Sequence, residues 1–229
     1  MTDWTPGELA IVWLSLKVAV VATLGVSLPA VGVAWLLARG RFWGRGLLNV
    51  AVHVPLVVPP VVTGYALLRV FGRAAPVGAW LERTMGLQFS FRWTGAALAA
   101  GVMAFPLVVR AARLGIEGVD RRIEESAATL GANPLWVFLT ITLPLALPGV
   151  LAGLAIGFAK ALGEFGATIT FVSNIPGETQ TIALAIYSQL ERPGGDAAAM
   201  RLAWVSVGIS VIALAASEWL SRAVHRERA

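Results

Sequence analysis

Long apolar blocks alternate with short polar stretches along the chain, at roughly 9–38, 47–71, 94–113, 141–162 and 202–220. Each block can carry a helix across a hydrocarbon layer about 30 Å thick, which takes around 20 apolar residues. The pattern predicts an all-α polytopic membrane protein with about five transmembrane helices. It forms a single domain over 1–229, with its core at about 9–220. The segment 163–201 is apolar only in part. Its "TIALAIYSQL" is too short for a sixth span and predicts a short surface helix or a partial re-entry. The acidic start "MTDWTPGELA", followed by a long apolar run, predicts a retained first span rather than a cleaved leader.

Prolines interrupt the blocks. Pro29 and Pro106 lie inside the first and third, and Pro55, Pro59 and Pro60 inside the second. A helical proline removes a donor and leaves a carbonyl unpaired. In a membrane this survives where neighbouring helices cover the break or a polar cavity wets it. Pro29 and Pro106 fit packing kinks equally well. The run "HVPLVVPPVVTGY" instead concentrates free polar atoms near mid-span, so Pro59, Pro60 and Thr63 are candidate pathway residues. Gly149, Gly153 and Gly157 make one smooth helix face, fit for another helix of this chain or for a second subunit.

The composition agrees, with 57% hydrophobic residues, 14% charged and a mean hydropathy of +0.75. A net charge of +5 would suggest nucleic acid in a soluble protein. Here loop arginines that set membrane orientation account for it, and no nucleic-acid partner is expected. Ten arginines fall on the side of the 39–46 loop, the 110–140 region and the tail, against six on the other. The N-terminus is therefore expected outside and the C-terminus in the cytoplasm, with 121–140 on the cytoplasmic side.

Chemistry of its own is hard to find. There is no cysteine, and His53 and His225 are far apart, so no metal site is expected. Lys17 and Lys160 do not sit in a phosphate-binding loop, and there is no Gly-x-Ser-x-Gly elbow or His-Glu-x-x-His helix. The chain is expected to be no enzyme and to bind no cofactor. Solute must then pass downhill, by ion coupling, or by a partner's work. Lys160 and Glu164 stand one turn apart and should pair. That leaves few groups for a proton relay, so drive by a partner is favoured over an autonomous channel or secondary carrier.

One stretch does not suit a lipid-facing helix: "EESAATLGANPLWVFLTITLP", Glu124 to Pro144. Its acids suit an early helical turn, and Glu124 and Glu125 are expected to face something outside the membrane. Ala127 and Ala128 keep one side thin, and Gly131 with "NP" bends the chain. The stretch resembles the cytoplasmic signature of bacterial ABC importer permeases, E-A-A-x-x-x-G followed by I-x-L-P. Glu125, Ala127, Gly131, Ile141, Leu143 and Pro144 fall on that pattern, and Ser126 replaces its first alanine. "ALGEFGATITFVSNIPGETQTI" and "HVPLVVPPVVTGYALL" are similar to the molybdate and sulfate permease branch, with "SNIPGETQTI" and "PGG" nearer the molybdate permeases.

The resemblance implies a type I importer permease of the bacterial inner membrane. Residues 121–140 would form a coupling loop, with Glu124, Glu125, Ser126, Ala127, Ala128, Gly131, Ile141 and Pro144 docking on an ATP-binding subunit. Two copies of that subunit, a second copy of this chain and a periplasmic oxyanion-binding protein are the implied partners, besides membrane lipid. The cargo is implied to be molybdate, with tungstate, sulfate or thiosulfate as alternatives. Thr63, Glu164, Thr168, Thr170 and Asn174 join Pro59 and Pro60 as expected pathway residues.

Overall fold

The computed structural model describes residues 4–226, with side chains as far as Leu220. The tail residues Arg222, His225, Arg226 and Arg228 counted above lie outside the described side chains. Thr5 opens α1 (Pro6–Arg39) with a reciprocal capping box to Glu8. At 34 residues α1 is about 50 Å long, so its ends stand clear of the hydrocarbon.

The second apolar block, expected over 47–71, is not one straight rod. The chain forms α2 (Arg45–Val57) and α3 (Pro60–Phe71), which meet at 111°. Val58 is extended, and Pro59 and Pro60 carry no N–H to continue the ladder, so the rod breaks there. After the short α4 (Pro76–Met85) comes α5 (Trp93–Glu117), and later α6 (Arg121–Thr129). Four helices among the described residues are long and apolar enough to cross a membrane, or five if the bent pair counts as one span.

The fourth apolar block also begins earlier than 141. Asn133 accepts from the Trp136 amide at 2.8 Å and starts a continuous rod at Pro134. This rod comprises α7 (Pro134–Val137), a π turn over Phe138–Thr142, and α8 (Leu143–Leu162). Pro144 has no N–H for the Thr140 carbonyl and its ring crowds that position, so the turn widens and the Leu143 amide reaches back to Phe138. Then follow α9 (Gly166–Val172), α10 (Ile182–Leu190) and α11 (Asp196–Arg226).

The central helix is α5, packed on α1 and α8 through buried alanines at 96, 97, 99, 100, 104 and 112. Small side chains suit this, since lipid gives no hydrophobic push between helices and close contact must supply the attraction. The glycine row of α8 faces α5. A Cβ at Gly149 would stand 2.7 Å from Gly115 Cα, one at Gly153 3.0 Å from Ala111 Cβ, and one at Gly157 2.6 Å from Val108. The row is therefore used within the chain.

Two polar clusters mark the ends of the bundle. At one end Arg201 of α11 binds Glu8 of α1 at 2.6 Å, and the Ile182 amide donates to Ser15 Oγ at 2.7 Å. At the other, the ends of α1 and α5 meet α6 and the start of the 134–162 rod. Replacing Gly149 by leucine should cost about 1–3 kcal/mol through overpacking against α5. Thermal unfolding of the purified chain should show a lowered midpoint for Gly149→Leu and little change for Gly32→Ala, where a Cβ meets open space.

Candidate coupling site and translocation face

Asp120 caps α6 by accepting from the Arg122 amide at 2.9 Å, and Glu124 sits in the first turn against the helix dipole. The helix ends in a Schellman motif: the Ala132 amide bonds Ala127 O at 3.2 Å and the Gly131 amide bonds Ala128 O at 3.0 Å. Gly131 has φ +87°, a left-handed conformation that side chains resist. A Cβ there would meet nothing within 4 Å. Backbone conformation, not the space for a side chain, is what requires glycine.

The two acids part company in the structure. Glu124 turns inward, toward the ends of α1 and the 134–162 rod. It pairs with Arg39 Nε at 2.9 Å and accepts from Thr142 Oγ1 at 2.6 Å, on the π turn. Arg39 also donates to the Ile116 and Val119 carbonyls at 2.8 and 2.9 Å, at the C-terminal end of α5. Side-chain exposures of 14% for Arg39 and 15% for Glu124 keep solvent from screening the pair fully. Arg121 of α6 donates to Ala38 O at 3.3 Å, and Arg45 to Leu37 O at 3.0 Å, so arginines also satisfy the last carbonyls of α1.

The outer surface of the loop is left for something else. Glu125, Ser126 and Ala128 are exposed. Ile123, Leu130, Leu135 and Trp136 add apolar surface, with Leu130 89% and Trp136 62% exposed. A cleft of about 250 Å³ runs beneath α6, between Glu125, Ala128 and Ala132 on one side and Trp35 and Phe138 on the other. Ile141 is half-buried and Pro144 begins α8; both shape the rod rather than the outer surface. Sequence reasoning missed Arg39, Thr142 and Leu130. The signal available for Thr142 was a hydroxyl inside the I-x-L-P run, one π turn from a proline.

The expected pathway residues are only partly gathered. Pro59 and Pro60 lie exposed at the break, and Thr63 is half-buried on α3. There α3 crosses α9 so closely that a Cβ at Gly64 would stand 2.4 Å from Ala167 O, and one at Gly166 2.8 Å from Pro60. Glu164 is buried, with one oxygen taken by Lys160 and the other by the Ala167 amide at 3.0 Å, in the first turn of α9. Thr168 is buried, and Thr170 bonds its own helix through Gly166 O at 2.9 Å. Asn174 lies apart, tied to Ser188 at 2.6 Å. Among the described residues no cluster of potential metal ligands occurs.

Because Glu124 holds α6 and Glu125 does not, their alanine variants should differ. In Glu124→Ala, amide hydrogen exchange across 121–132 should quicken by about tenfold or more, the scale of a charge-assisted hydrogen bond. Glu125→Ala should leave it unchanged.

Comparison with known proteins fits this arrangement. Residues 30–226 match the family described as binding-protein-dependent transport system inner membrane component. The molybdenum transport system permease protein ModB of Haemophilus influenzae is 54% identical over 221 residues, 96% of each chain. ModB of Escherichia coli K12 is 54% identical over 226 residues, 98% of each. The fold is shared with a chain of the MetNI methionine ABC transporter in an inward-facing form, at a TM-score of 0.71 and 15% identity, covering 93% of this chain and 94% of that one. The chain belongs to the binding-protein-dependent inner-membrane components, the permeases of ABC importers.

Proposed function

We propose that this chain forms the translocation pathway of an ATP-driven molybdate importer. The observation that carries this reading is 54% identity, over almost the whole length of both chains, to permeases named for molybdenum transport. An importer permease works with an ATP-binding subunit and a substrate-binding protein. In the proposed assembly two copies of this chain enclose the pore, each with α6 seated on one ATP-binding subunit. The N-terminus is periplasmic and the C-terminus cytoplasmic, which puts α6 and its arginines on the cytoplasmic side.

The mechanism is mechanical. Closure of two ATP-binding subunits draws the two α6 helices together. Arg39, Glu124 and Thr142 pass that displacement to the ends of α1, α5 and the 134–162 rod. The helices then rotate as a body and switch the side to which the pore opens. The break at Pro59–Pro60 and the α3–α9 crossing supply the pathway surface, where Thr63 and open backbone groups meet the anion. Such contacts hold a dianion weakly enough to release it.

Proteoliposomes test the reading. Labelled molybdate uptake should require this chain, its ATP-binding subunit, the binding protein and ATP together. Excess tungstate should compete and sulfate should not. Strong inhibition by sulfate would reassign the cargo, and full uptake by this chain without nucleotide would end the importer reading. Glu125→Lys and Leu130→Asp should reduce co-purification of the ATP-binding subunit severalfold while membrane insertion stays normal.

A further inference from the structure

Away from α6, a second polar cluster lines an open cleft between α2 and α5, on the α6 side of the Pro59 break. Asn49 and His53 of α2 face Arg110, Arg113 and Glu117 of α5 around a cavity of about 300 Å³. His53 Nδ1 lies 2.8 Å from Asn49 O, and since a carbonyl only accepts, that nitrogen carries the proton. Arg113 is fixed, donating to Glu117 at 2.8 Å and to Asn49 Oδ1 at 3.1 Å. Arg110 is different: among the described residues it has no ion pair and no side-chain hydrogen bond. Two arginines against one glutamate leave the cleft with a net positive charge.

Position makes that charge meaningful. Arg110 lies seven residues before the end of α5, about 10 Å in from it, within one of the membrane-crossing helices. An exposed arginine near the end of such a helix stays wetted, and without a partner its fork is free for an anion. His53 stands six residues from the Pro59 break, about 9 Å nearer the coupling end. The cleft thus lies between the Pro59 break and the α6 end of the bundle.

We propose that the α2–α5 cleft is a binding station for a tetrahedral oxyanion group, held by the guanidinium fork of Arg110 with Arg113 behind it. A planar fork offers two parallel donors to such an anion. Because Arg110 is exposed, exchange is fast, as a mouth site requires. Two sources share this chemistry: the transported oxyanion, which rests on the importer reading, and the phosphate of a bilayer lipid, which does not.

The assembled transporter in nanodiscs separates them. In phosphatidylcholine alone, equilibrium binding of molybdate should weaken about tenfold or more in Arg110→Gln, less in Arg110→Lys, and not in Arg83→Gln on α4. In discs with phosphatidylglycerol, native mass spectrometry reads the lipid source. Retention by the parent protein and loss from Arg110→Gln, with molybdate binding unchanged, assigns the station to headgroup phosphate. If both Arg110 variants bind molybdate and retain phosphatidylglycerol as the parent does, the station is overturned. Absence of ATP-dependent uptake by the parent protein would instead count against the importer reading, and leaves the lipid arm intact.

Discussion

A helix that ends near a membrane surface leaves its last carbonyls without partners, and nearby lipid offers none. Arg39 answers that constraint for α5 while standing at the end of α1 itself. The same guanidinium holds Glu124 of α6, and Glu124 in turn holds Thr142 at the head of α8. One cation therefore ties four elements at a single end of the bundle. Without it α6 would be a short, polar helix on a flexible tether, and a push on its outer surface would be lost in the loop.

Rigidity further along the bundle comes from smallness. Alanines of α5 and the glycine row of α8 bring backbones into contact, so the rods move together rather than bending past one another. Compliance is concentrated elsewhere. Single donors are lost at Pro29, Pro55, Pro106 and Pro148 inside helices, but the 111° corner at Pro59–Pro60 and the π turn before Pro144 change the course of the backbone itself. The first lies at the expected pathway and the second beside α6, the proposed coupling helix. A displacement entering at α6 thus meets stiff rods between two adaptable points.

Much of this was legible in the sequence, and the gaps have physical causes. Apolar block length gave the spanning helices, because bilayer thickness fixes it. The polar excursion at 121–133 was readable because acids and a glycine in an otherwise apolar chain need a reason, and it folds as α6 and its Gly131 turn. The 111° bend of the second block was not legible in its hydropathy, which does not register backbone geometry, and two consecutive prolines act through geometry. The inward contact of Glu124 was not legible because its partner, Arg39, is 85 residues away and no local spacing reveals it. The same holds for Arg110 and His53, which the fold alone brings together. Glu164 was paired with Lys160 by spacing alone, but its bond to the Ala167 amide follows from the chain turning at Gly163.

The central claim is that α6 and the spans move as one body when the motor subunits act. A chain without cysteine allows clean spin labelling, with labels at Ser126 and Phe42 in one copy and at Ser126 in both. Pulsed electron–electron distance measurements on the assembled transporter, with and without trapped nucleotide, decide it. The account predicts that the Ser126–Phe42 distance within a chain stays fixed while the Ser126–Ser126 distance between chains shortens. If the distance within a chain changed as much as the one between chains, α6 would be sliding over the bundle, and the rigid coupling described here would be wrong.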